Sequence, residues 1–238
     1  MNKKTKEISH QEEYISNIIS PEKEMILKEF LKTYKRYPVI AITGPAGIGK
    51  STITNELSKY LGAKTYTELP NTNPFLKIIS STNYKVNDAS LWINNQNYFL
   101  ATDTSQITKA FIEASKKPIV FDFTLAQTLI FADIKLNGNY LKTFKSMYKS
   151  QFNTLPKPDI VIEVQADSSI IIDRLAKRGK HIDEGVIKIT ELINSYYKNG
   201  LIDENYQDTK VLKFDNNKFE AEQSDILKRV LKILDEAA

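Results

Sequence analysis

Five short apolar, β-rich runs recur along the chain, with segments of helical character between them. They cover residues 39–43, 64–68, 119–123, 160–164 and 211–214. Their apolarity is continuous rather than alternating, which is typical of strands buried on both faces of a parallel sheet. Strands that alternate with helices predict an α/β fold, here a doubly wound sheet of five parallel strands flanked by helices and joined by right-handed crossovers.

Helices are expected around these runs. The first begins at Ser20-Pro21-Glu22, which reads as a capping residue, an N1 proline and a first-turn acid, and it extends to about Tyr34. Further helices are expected at 51–61, 89–114, 125–152 (interrupted near Gly138), 170–178, 186–197 and 224–234. We expect residues 1–37 to form a helical extension and residues 38–238 to form one domain.

The first run leads into Gly44-Pro45-Ala46-Gly47-Ile48-Gly49-Lys50-Ser51, a G-x-x-x-x-G-K-S sequence. Glycines let backbone N–H groups face phosphate oxygens, the lysine reaches the β- and γ-phosphates, and the serine hydroxyl can ligate Mg²⁺. The helix that starts here adds its positive dipole end. The sequence therefore predicts a phosphate-binding loop. The residues assigned to ATP in this segment are Gly44, Ala46, Gly47, Ile48, Gly49, Lys50, Ser51 and Thr52.

Polar residues follow the other strands, where ligands bind in doubly wound sheets. The second run ends in Glu68 and the third in Asp122, and a basic segment with Arg174, Arg178 and Lys180 comes after the fourth. One carboxylate can act as general base, the second can hold Mg²⁺, and the guanidinium groups can clamp the transferring phosphoryl group as a short basic lid. Each residue alone could be an ordinary strand-end or solvated helix residue. Their joint placement favours the functional interpretation.

Composition excludes several classes of chemistry. The net charge is +4 with the positive residues spread along the chain, which argues against nucleic acid as the main partner. Cysteine is absent, so disulfides, thiolate zinc sites and cysteine nucleophiles are excluded. The basic N-terminus has no apolar h-region after it, and no apolar stretch approaches a membrane span. We expect a soluble, cytoplasmic protein without a membrane partner.

Several further motifs appear in a fixed order. They are Glu68-Leu69-Pro70 with Asn73-Pro74-Phe75-Leu76, Gln96-Asn97-Tyr98-Phe99-Leu100, Asp122-Phe123-Thr124 with Leu129-Ile130-Phe131-Ala132, Pro158-Asp159-Ile160-Val161-Ile162, and the segment 174–180. Together with the phosphate loop they resemble the deoxyribonucleoside kinase family of the P-loop kinases, in particular its bacterial deoxyadenosine/deoxyguanosine kinase-like members, over residues 39–234. The resemblance implies ATP- and Mg²⁺-dependent phosphorylation of a nucleoside 5′-hydroxyl in nucleoside salvage.

The resemblance also implies roles for individual residues. The implied catalytic residues are Glu68 as general base with Lys50, Arg174 and Arg178. The implied ATP lid is Arg174, Arg178 and Lys180, and the implied metal ligands are Ser51 and Asp122. The implied nucleoside-binding residues are Glu68, Tyr84, Trp92, Gln96, Phe123 and Asp183. The amide of Gln96 offers a donor and an acceptor to a base, whereas Trp92 could equally be a core aromatic.

A homodimer paired through long helices is implied as well. The apolar residues that could supply its surface, or could instead face the sheet, are Phe99, Leu100, Ile107, Phe131 and Phe144.

The chain departs from the family pattern on the nucleoside side. Phe123 and Asp103 stand where the family has arginines, and Thr128 stands where many members have an aspartate. Lys180 stands where the family has the last lid arginine. A lysine keeps the positive charge but cannot form the bidentate hydrogen bonds of a guanidinium group. A family tyrosine falls near Ser80, after which Tyr84 could substitute.

Three hypotheses remain open from the sequence. The first is an active kinase with an unusual or relaxed acceptor pocket, for which Phe123→Arg is expected to raise kcat if the family geometry holds. The second is a catalytically weak nucleotide-binding paralogue with a regulatory role. The third is another small-molecule or nucleoside monophosphate kinase, although the basic cluster that a monophosphate acceptor needs is not seen around 65–73 or 123–127.

Overall fold

Five parallel strands form one sheet in the computed structural model, which describes residues 21–82, 86–217 and 223–238. Along the sheet they follow the order β2-β3-β1-β4-β5, and every neighbouring pair is parallel. The strands are β1 (Val39–Thr43), β2 (Lys64–Tyr66), β3 (Ile119–Phe121), β4 (Ile160–Gln165) and β5 (Lys210–Asp215). The predicted α/β fold with five parallel strands is confirmed.

Helices flank this sheet on both faces. They are α1 (residues 21–34), α2 (Lys50–Leu61), α3 (Pro74–Ser81), α4 (Ala89–Glu113), α5 (Gln127–Lys135), α6 (Gly138–Thr154), α7 (Ser168–Lys177), α8 (Glu184–Lys198), α9 (Leu201–Asn205) and α10 (Gln223–Ala237). The predicted interruption near Gly138 is confirmed, because α5 and α6 are separate helices. None of the helices in the described ranges is long and apolar enough to cross a membrane.

One helix was not predicted from the sequence: α3 begins directly after a short 3-10 turn, Pro70–Thr72. Asn73 caps this helix, because its side-chain oxygen accepts hydrogen bonds from the backbone N–H groups of Phe75 and Leu76 at 3.0 and 3.2 Å. Pro74 occupies the N1 position, where its missing N–H costs nothing. The Asn-Pro pair was therefore a start signal for a helix as well as part of a motif.

Two apolar cores lie on opposite faces of the sheet. Ile40 and Ile42 of β1 face one core, and Val39 and Ala41 face the other, as alternation along a strand requires. This double burial explains the continuous apolarity of the strand runs. Phe30 of α1 is 1% exposed and belongs to the first core. The division into an extension over residues 1–37 and a domain over 38–238 stays a prediction, since residues 1–20 lie outside the described part.

The carboxyl ends of all five strands meet at one edge of the sheet, because the strands are parallel. The central strand β1 pairs with β3 on one side and β4 on the other. The chain therefore leaves β1 at the switch point of the sheet, which is where doubly wound folds bind their ligands.

Candidate active site

The loop between β1 and α2 has the conformation that its glycines predict. Gly44, Gly47 and Gly49 have φ values of 147°, 88° and 107°, which L-residues with a Cβ rarely adopt. A Cβ on Gly44 would lie 2.7 Å from the carbonyl oxygen of Val164, and one on Gly47 would lie 2.9 Å from the side chain of Leu175. The loop thus packs against β4 and α7 as closely as only glycine permits.

Lys50 begins α2 and turns back over this loop. Its Nζ donates hydrogen bonds to the carbonyl oxygens of Gly44 and Pro45, at 2.9 and 3.3 Å. Burial lowers the pKa of Lys50, while the nearby charges of Glu68 and Asp122 act to raise it. One ammonium group therefore lies within electrostatic reach of both strand-end carboxylates.

Ser51 and Asp122 form a pair of oxygen donors beside the start of α2. The Ser51 hydroxyl donates to the Asp122 carboxylate at 2.9 Å. Burial raises the pKa of Asp122, against the hydrogen bond from Ser51 and the charge of Lys50. Mg²⁺ prefers oxygen ligands and in kinases binds through one or two carboxylates together with substrate phosphates. The donor set fits such an ion, although the described residues contain no cluster of three acidic or histidine side chains.

Glu68 lies just beyond β2 and is held by Gln127 at the start of α5. The amide of Gln127 donates a hydrogen bond to a carboxylate oxygen of Glu68. Burial raises the pKa of Glu68 above its ordinary value, opposed by the Lys50 charge and by this hydrogen bond. A carboxylate with a raised pKa is better matched to proton transfer near neutral pH.

One face of α4 carries two of the residues that the sequence predicts for nucleoside binding, Trp92 and Gln96. Trp92, Gln96 and Asp103 lie on it, and all three are buried. The Trp92 indole N–H donates to the carbonyl oxygen of Val86 at 3.0 Å, and its ring packs in an apolar cluster. Asn73 ties α3 to α4 by donating to the side chain of Asn95 at 3.0 Å.

Asp103 has 0% exposure, and neither of its carboxylate oxygens has a hydrogen-bond partner among the described residues. Burial, helped by the charge of Glu68, raises the pKa of Asp103 well above its ordinary value. This residue occupies the motif position at which the family usually has an arginine.

Phe123 is 1% exposed and lies within the core on the α4 and α8 face of the sheet. Its ring meets Phe121 edge-on, with the centroids 5.2 Å apart. Its neighbour Thr124 instead joins a buried hydroxyl chain, donating to Thr43 at 2.9 Å, and Thr43 contacts Tyr197 at 3.2 Å. The Phe123 side chain therefore packs in the core. Its assignment to nucleoside binding stays a prediction.

The two lid arginines occupy different positions. Arg174 donates to the carbonyl oxygens of Ile48 and Asn216, at 3.2 and 2.7 Å, so it holds the phosphate loop from behind. Arg178 ends α7 and is exposed, and its positive charge helps to lower the pKa of Lys50. Arg178 is therefore the better placed of the two to meet a phosphate.

The remaining predicted residues are less informative. Lys180 is exposed beyond α7. Asp183 caps α8, because its carboxylate accepts a hydrogen bond from the backbone N–H of Val186 at 2.8 Å. Tyr84 lies outside the described residues.

Two residues of the candidate site, Gln127 and Asn216, were not predicted from the sequence. Asn216 follows β5 and donates to the carbonyl oxygen of Ile48 at 2.6 Å, so it fixes the phosphate loop together with Arg174. The signal was available, because Asn216 is a polar residue just past a strand end. Gln127 had a weaker signal, a polar residue at the start of the helix after Asp122.

The phosphate loop and the two strand-end carboxylates at the switch point define a nucleotide-binding α/β protein of the kinase type. The family model for deoxynucleoside kinases matches residues 40–235. The chain belongs to the deoxynucleoside kinase family.

Individual relatives agree with this membership. Deoxyguanosine kinase of Bacillus subtilis (strain 168) is 28% identical over 163 residues, covering 67% of this chain and 76% of the relative. Deoxyadenosine/deoxycytidine kinase of the same organism is 29% identical over 61% of this chain and 67% of its own. Among solved structures, deoxyadenosine kinase from M. mycoides with bound dCTP is 25% identical, with a TM-score of 0.65, covering 82% of this chain and 98% of that one.

Proposed function

We propose that this protein transfers the γ-phosphate of ATP to the 5′-hydroxyl of a deoxynucleoside, producing the monophosphate for nucleoside salvage. Family membership gives the class of reaction. The observation that carries the assignment of roles is the grouping of Glu68, Lys50 and Asp122 around one phosphate loop, where the charges of both carboxylates act on the pKa of the lysine.

ATP binds on the loop and the first turn of α2, with its phosphates on the glycine backbone and on Lys50. Ser51 and Asp122, whose side-chain oxygens are adjacent, would hold Mg²⁺. When bound, this ion neutralises charge on the phosphate oxygens. Arg174 positions the loop through Ile48, and Arg178, with Lys180 behind it, approaches the γ-phosphate from the end of α7.

Glu68 takes the proton of the 5′-hydroxyl as that oxygen bonds to the γ-phosphorus and the bond to the β-phosphate oxygen breaks, releasing ADP. Gln127 orients the carboxylate by its hydrogen bond. The raised pKa of Glu68 makes it a stronger base than an ordinary glutamate. Nothing covalent forms between protein and phosphate, so positioning and charge carry the catalysis.

The acceptor lies against α4, where Gln96 contacts the base and Trp92 forms a wall. The family motifs place Phe123, at the position of the family arginine, and Asp183 on the same side, and Tyr84 could substitute for the family tyrosine that falls near Ser80. The relatives named above are deoxyguanosine and deoxyadenosine/deoxycytidine kinases, so purine deoxynucleosides and deoxycytidine are the acceptors to test first.

A panel of deoxynucleosides with ATP labelled at the γ-position tests this function. We expect a labelled monophosphate from at least one of them, and loss of that product in Glu68→Gln. A protein that ATP stabilises against heat but that phosphorylates none of them would instead be a regulatory nucleotide-binding paralogue. The core position of Phe123, which leaves no arginine after Asp122, is the observation that favours this second candidate.

We also propose that the protein is a homodimer in the cytoplasm. Of the residues suggested for the interface, Leu100 and Phe144 are buried in the chain's own core, at 3% and 0% exposure, so they face inward. Exposed apolar side chains remain on the long helices, with Ile112 on α4 at 70% and Met147 on α6 at 41%. Light scattering after size-exclusion chromatography measures the assembly, and a dimer that Ile112→Glu dissociates is the expected result.

A further inference from the structure

The least satisfied polar group beside the proposed site is the carboxyl of Asp103. It has no exposed surface, and both of its oxygens lack a hydrogen-bond partner among the described residues. A buried polar atom left without a partner destabilises the folded state. Because native structures rarely keep such groups without a purpose, the two oxygens indicate a ligand with donors for them.

Asp103 lies where the acceptor base is expected. It comes two helical turns after Gln96 on the same buried face of α4. Its carboxyl is within electrostatic reach of Glu68 after β2 and of Tyr206 at the end of α9. The helix α5 packs against α4, and at its start the amide oxygen of Gln127 is likewise buried without a partner in the described ranges.

We propose that Asp103 is a specificity-determining residue that reads a guanine base, so that the preferred acceptor is deoxyguanosine. This inference rests on the proposed nucleoside kinase function. The ionised carboxyl accepts hydrogen bonds from guanine N1–H and N2–H₂ through its two oxygens, and the Gln96 amide donates to the O6 or N7 side of the same base.

The donor pattern of the bases selects guanine. An ionised carboxylate is an acceptor only. Guanine alone among the four bases presents two adjacent donor groups on one edge, whereas adenine and cytosine present one amino group next to an acceptor. Charge-assisted bonds to paired N–H groups are about twice as strong as neutral ones. They offset the burial that raises the pKa of Asp103 in the free protein.

The base reaches Asp103 only when neighbouring side chains move aside, because the carboxyl has no exposed surface. Changes of side-chain rotamer of this kind are common when sites bind their ligands. Hydrogen bonds from Trp92 to Val86 and from Asn73 to Asn95 anchor the N-terminal half of α4, so we expect side chains around Asp103 to move rather than the helix.

The test compares the wild type with Asp103→Asn and with Asp88→Asn, a matched control. Asp88 is the exposed N-cap of the same helix, and asparagine caps helices equally well. Calorimetric Kd and kcat/KM are measured for deoxyguanosine, deoxyinosine, which lacks the 2-amino group, and deoxyadenosine.

We expect the wild type to prefer deoxyguanosine over both other nucleosides. In Asp103→Asn the ratio of kcat/KM for deoxyguanosine to kcat/KM for deoxyadenosine should fall roughly tenfold to a hundredfold, because asparagine replaces one acceptor with a donor. The preference for deoxyguanosine over deoxyinosine should disappear in this variant and persist in Asp88→Asn.

Equal ratios in wild type and Asp103→Asn would overturn the inference, as would a wild type that prefers deoxyadenosine. If no nucleoside is phosphorylated, the proposed function fails, but the binding ratios still decide whether Asp103 reads guanine. Asp103→Ser, which is smaller and uncharged, gives the same comparison if the asparagine variant does not fold.

Discussion

The two halves of the candidate site are built in different ways. On the phosphate side, the polar side chains Lys50, Ser51, Arg174 and Asn216 all have hydrogen-bond partners within the protein. On the nucleoside side, Asp103 is buried with both oxygens unpartnered among the described residues. Most of the phosphate side is thus preorganised, with one Asp122 oxygen left unpartnered, whereas on the proposed nucleoside side both oxygens of Asp103 lack a described partner.

This difference indicates which part of such a site tolerates amino-acid substitutions. Every nucleotide presents the same phosphates, so a loop of glycines and one lysine serves for all of them. Bases differ in their donors and acceptors, so in the proposed site single side chains on α4 and α5 would select the base. The departures from the family pattern accordingly lie at Asp103, Phe123 and Thr128 and leave the phosphate loop intact.

The largest effect is expected for Glu68→Gln, which removes the base but keeps the shape of the side chain. We expect kcat to fall roughly 10²- to 10⁴-fold, the usual contribution of a general base. Thermal stabilisation by ATP should persist, because Glu68 belongs to the acceptor half. Glu191→Gln on the exposed face of α8 is the control. Near-normal turnover in Glu68→Gln would remove Glu68 from the catalytic role.

The variant Phe123→Arg has opposite expected effects under the family pattern and under the structure. The family pattern predicts a higher kcat, but the ring is 1% exposed in the core, and an unpaired buried charge costs several kcal/mol. We therefore expect the free energy of unfolding to fall by about 3–5 kcal/mol. Phe131→Arg, at a position 39% exposed on α5, should cost much less. A stable Phe123→Arg protein with raised kcat would show that position 123 faces the acceptor after all.

Gly47→Ala tests how closely the phosphate loop is packed. The new Cβ would lie 2.9 Å from Leu175 at a φ of 88°, so we expect a loss of about 1–3 kcal/mol of stability and weaker ATP binding. Gly62→Ala is the matched control, since its φ is also positive at 63° but nothing lies within 4 Å of the new Cβ. Denaturant unfolding and ATP titration measure both variants. Equal losses would mean that backbone conformation alone, rather than packing on α7, restricts the loop.

The pH dependence of kcat/KM reports the protonation of Glu68. Only the ionised carboxylate accepts the proton, so activity should rise with pH through the pKa of Glu68, which burial raises above the ordinary glutamate value. The acid limb of the profile should therefore lie at higher pH than a surface glutamate would give. A limb at the ordinary value would place Glu68 in contact with solvent during catalysis.

The smallest effect is expected for the stability of Asp103→Asn. Because the pKa of Asp103 is raised in the folded state, the unfolded chain ionises first, and the wild type loses stability as pH rises above the unfolded pKa. The variant lacks this loss, so its melting temperature should exceed that of the wild type near neutral pH and approach it in acid. The melting temperature of Asp88→Asn should instead lie below that of the wild type near neutral pH. Hydrogen bonds lower the pKa of Asp88, so its ionised form stabilises the folded state. A gap between Asp103→Asn and wild type that does not change with pH would mean that the pKa of Asp103 is the same in the folded and the unfolded chain.

Much of the fold could be predicted from local patterns. Continuous apolar runs predicted the strands, because each strand is buried on both faces, and the glycine spacing predicted the loop, because positive φ angles restrict the residue type. The helix α3 was missed although Asn73 and Pro74 are ordinary start signals. The same two residues belong to a family motif, so one stretch of sequence serves both as a motif and as a helix start.

The site was predictable only in part. Strand-end position indicated Glu68 and Asp122, since parallel strands bring their carboxyl ends together. The same rule applied to β5 would have indicated Asn216. The separate positions of Arg174 and Arg178 were not predictable, because they depend on whether each side chain reaches the carbonyl oxygen of Ile48.

By itself, the sequence determined the strands, the phosphate loop and the family, since these depend on neighbouring residues and on the backbone angles that each residue allows. The tertiary structure alone decided that Gln127 holds Glu68, that Arg174 and Asn216 fix the loop, that Phe123 packs in the core and that Asp103 is buried without a described partner. Those contacts join residues far apart in the chain, 59 positions for Gln127 with Glu68 and 126 for Arg174 with Ile48. Side-chain contacts over such separations follow from how whole elements pack, which no local pattern records.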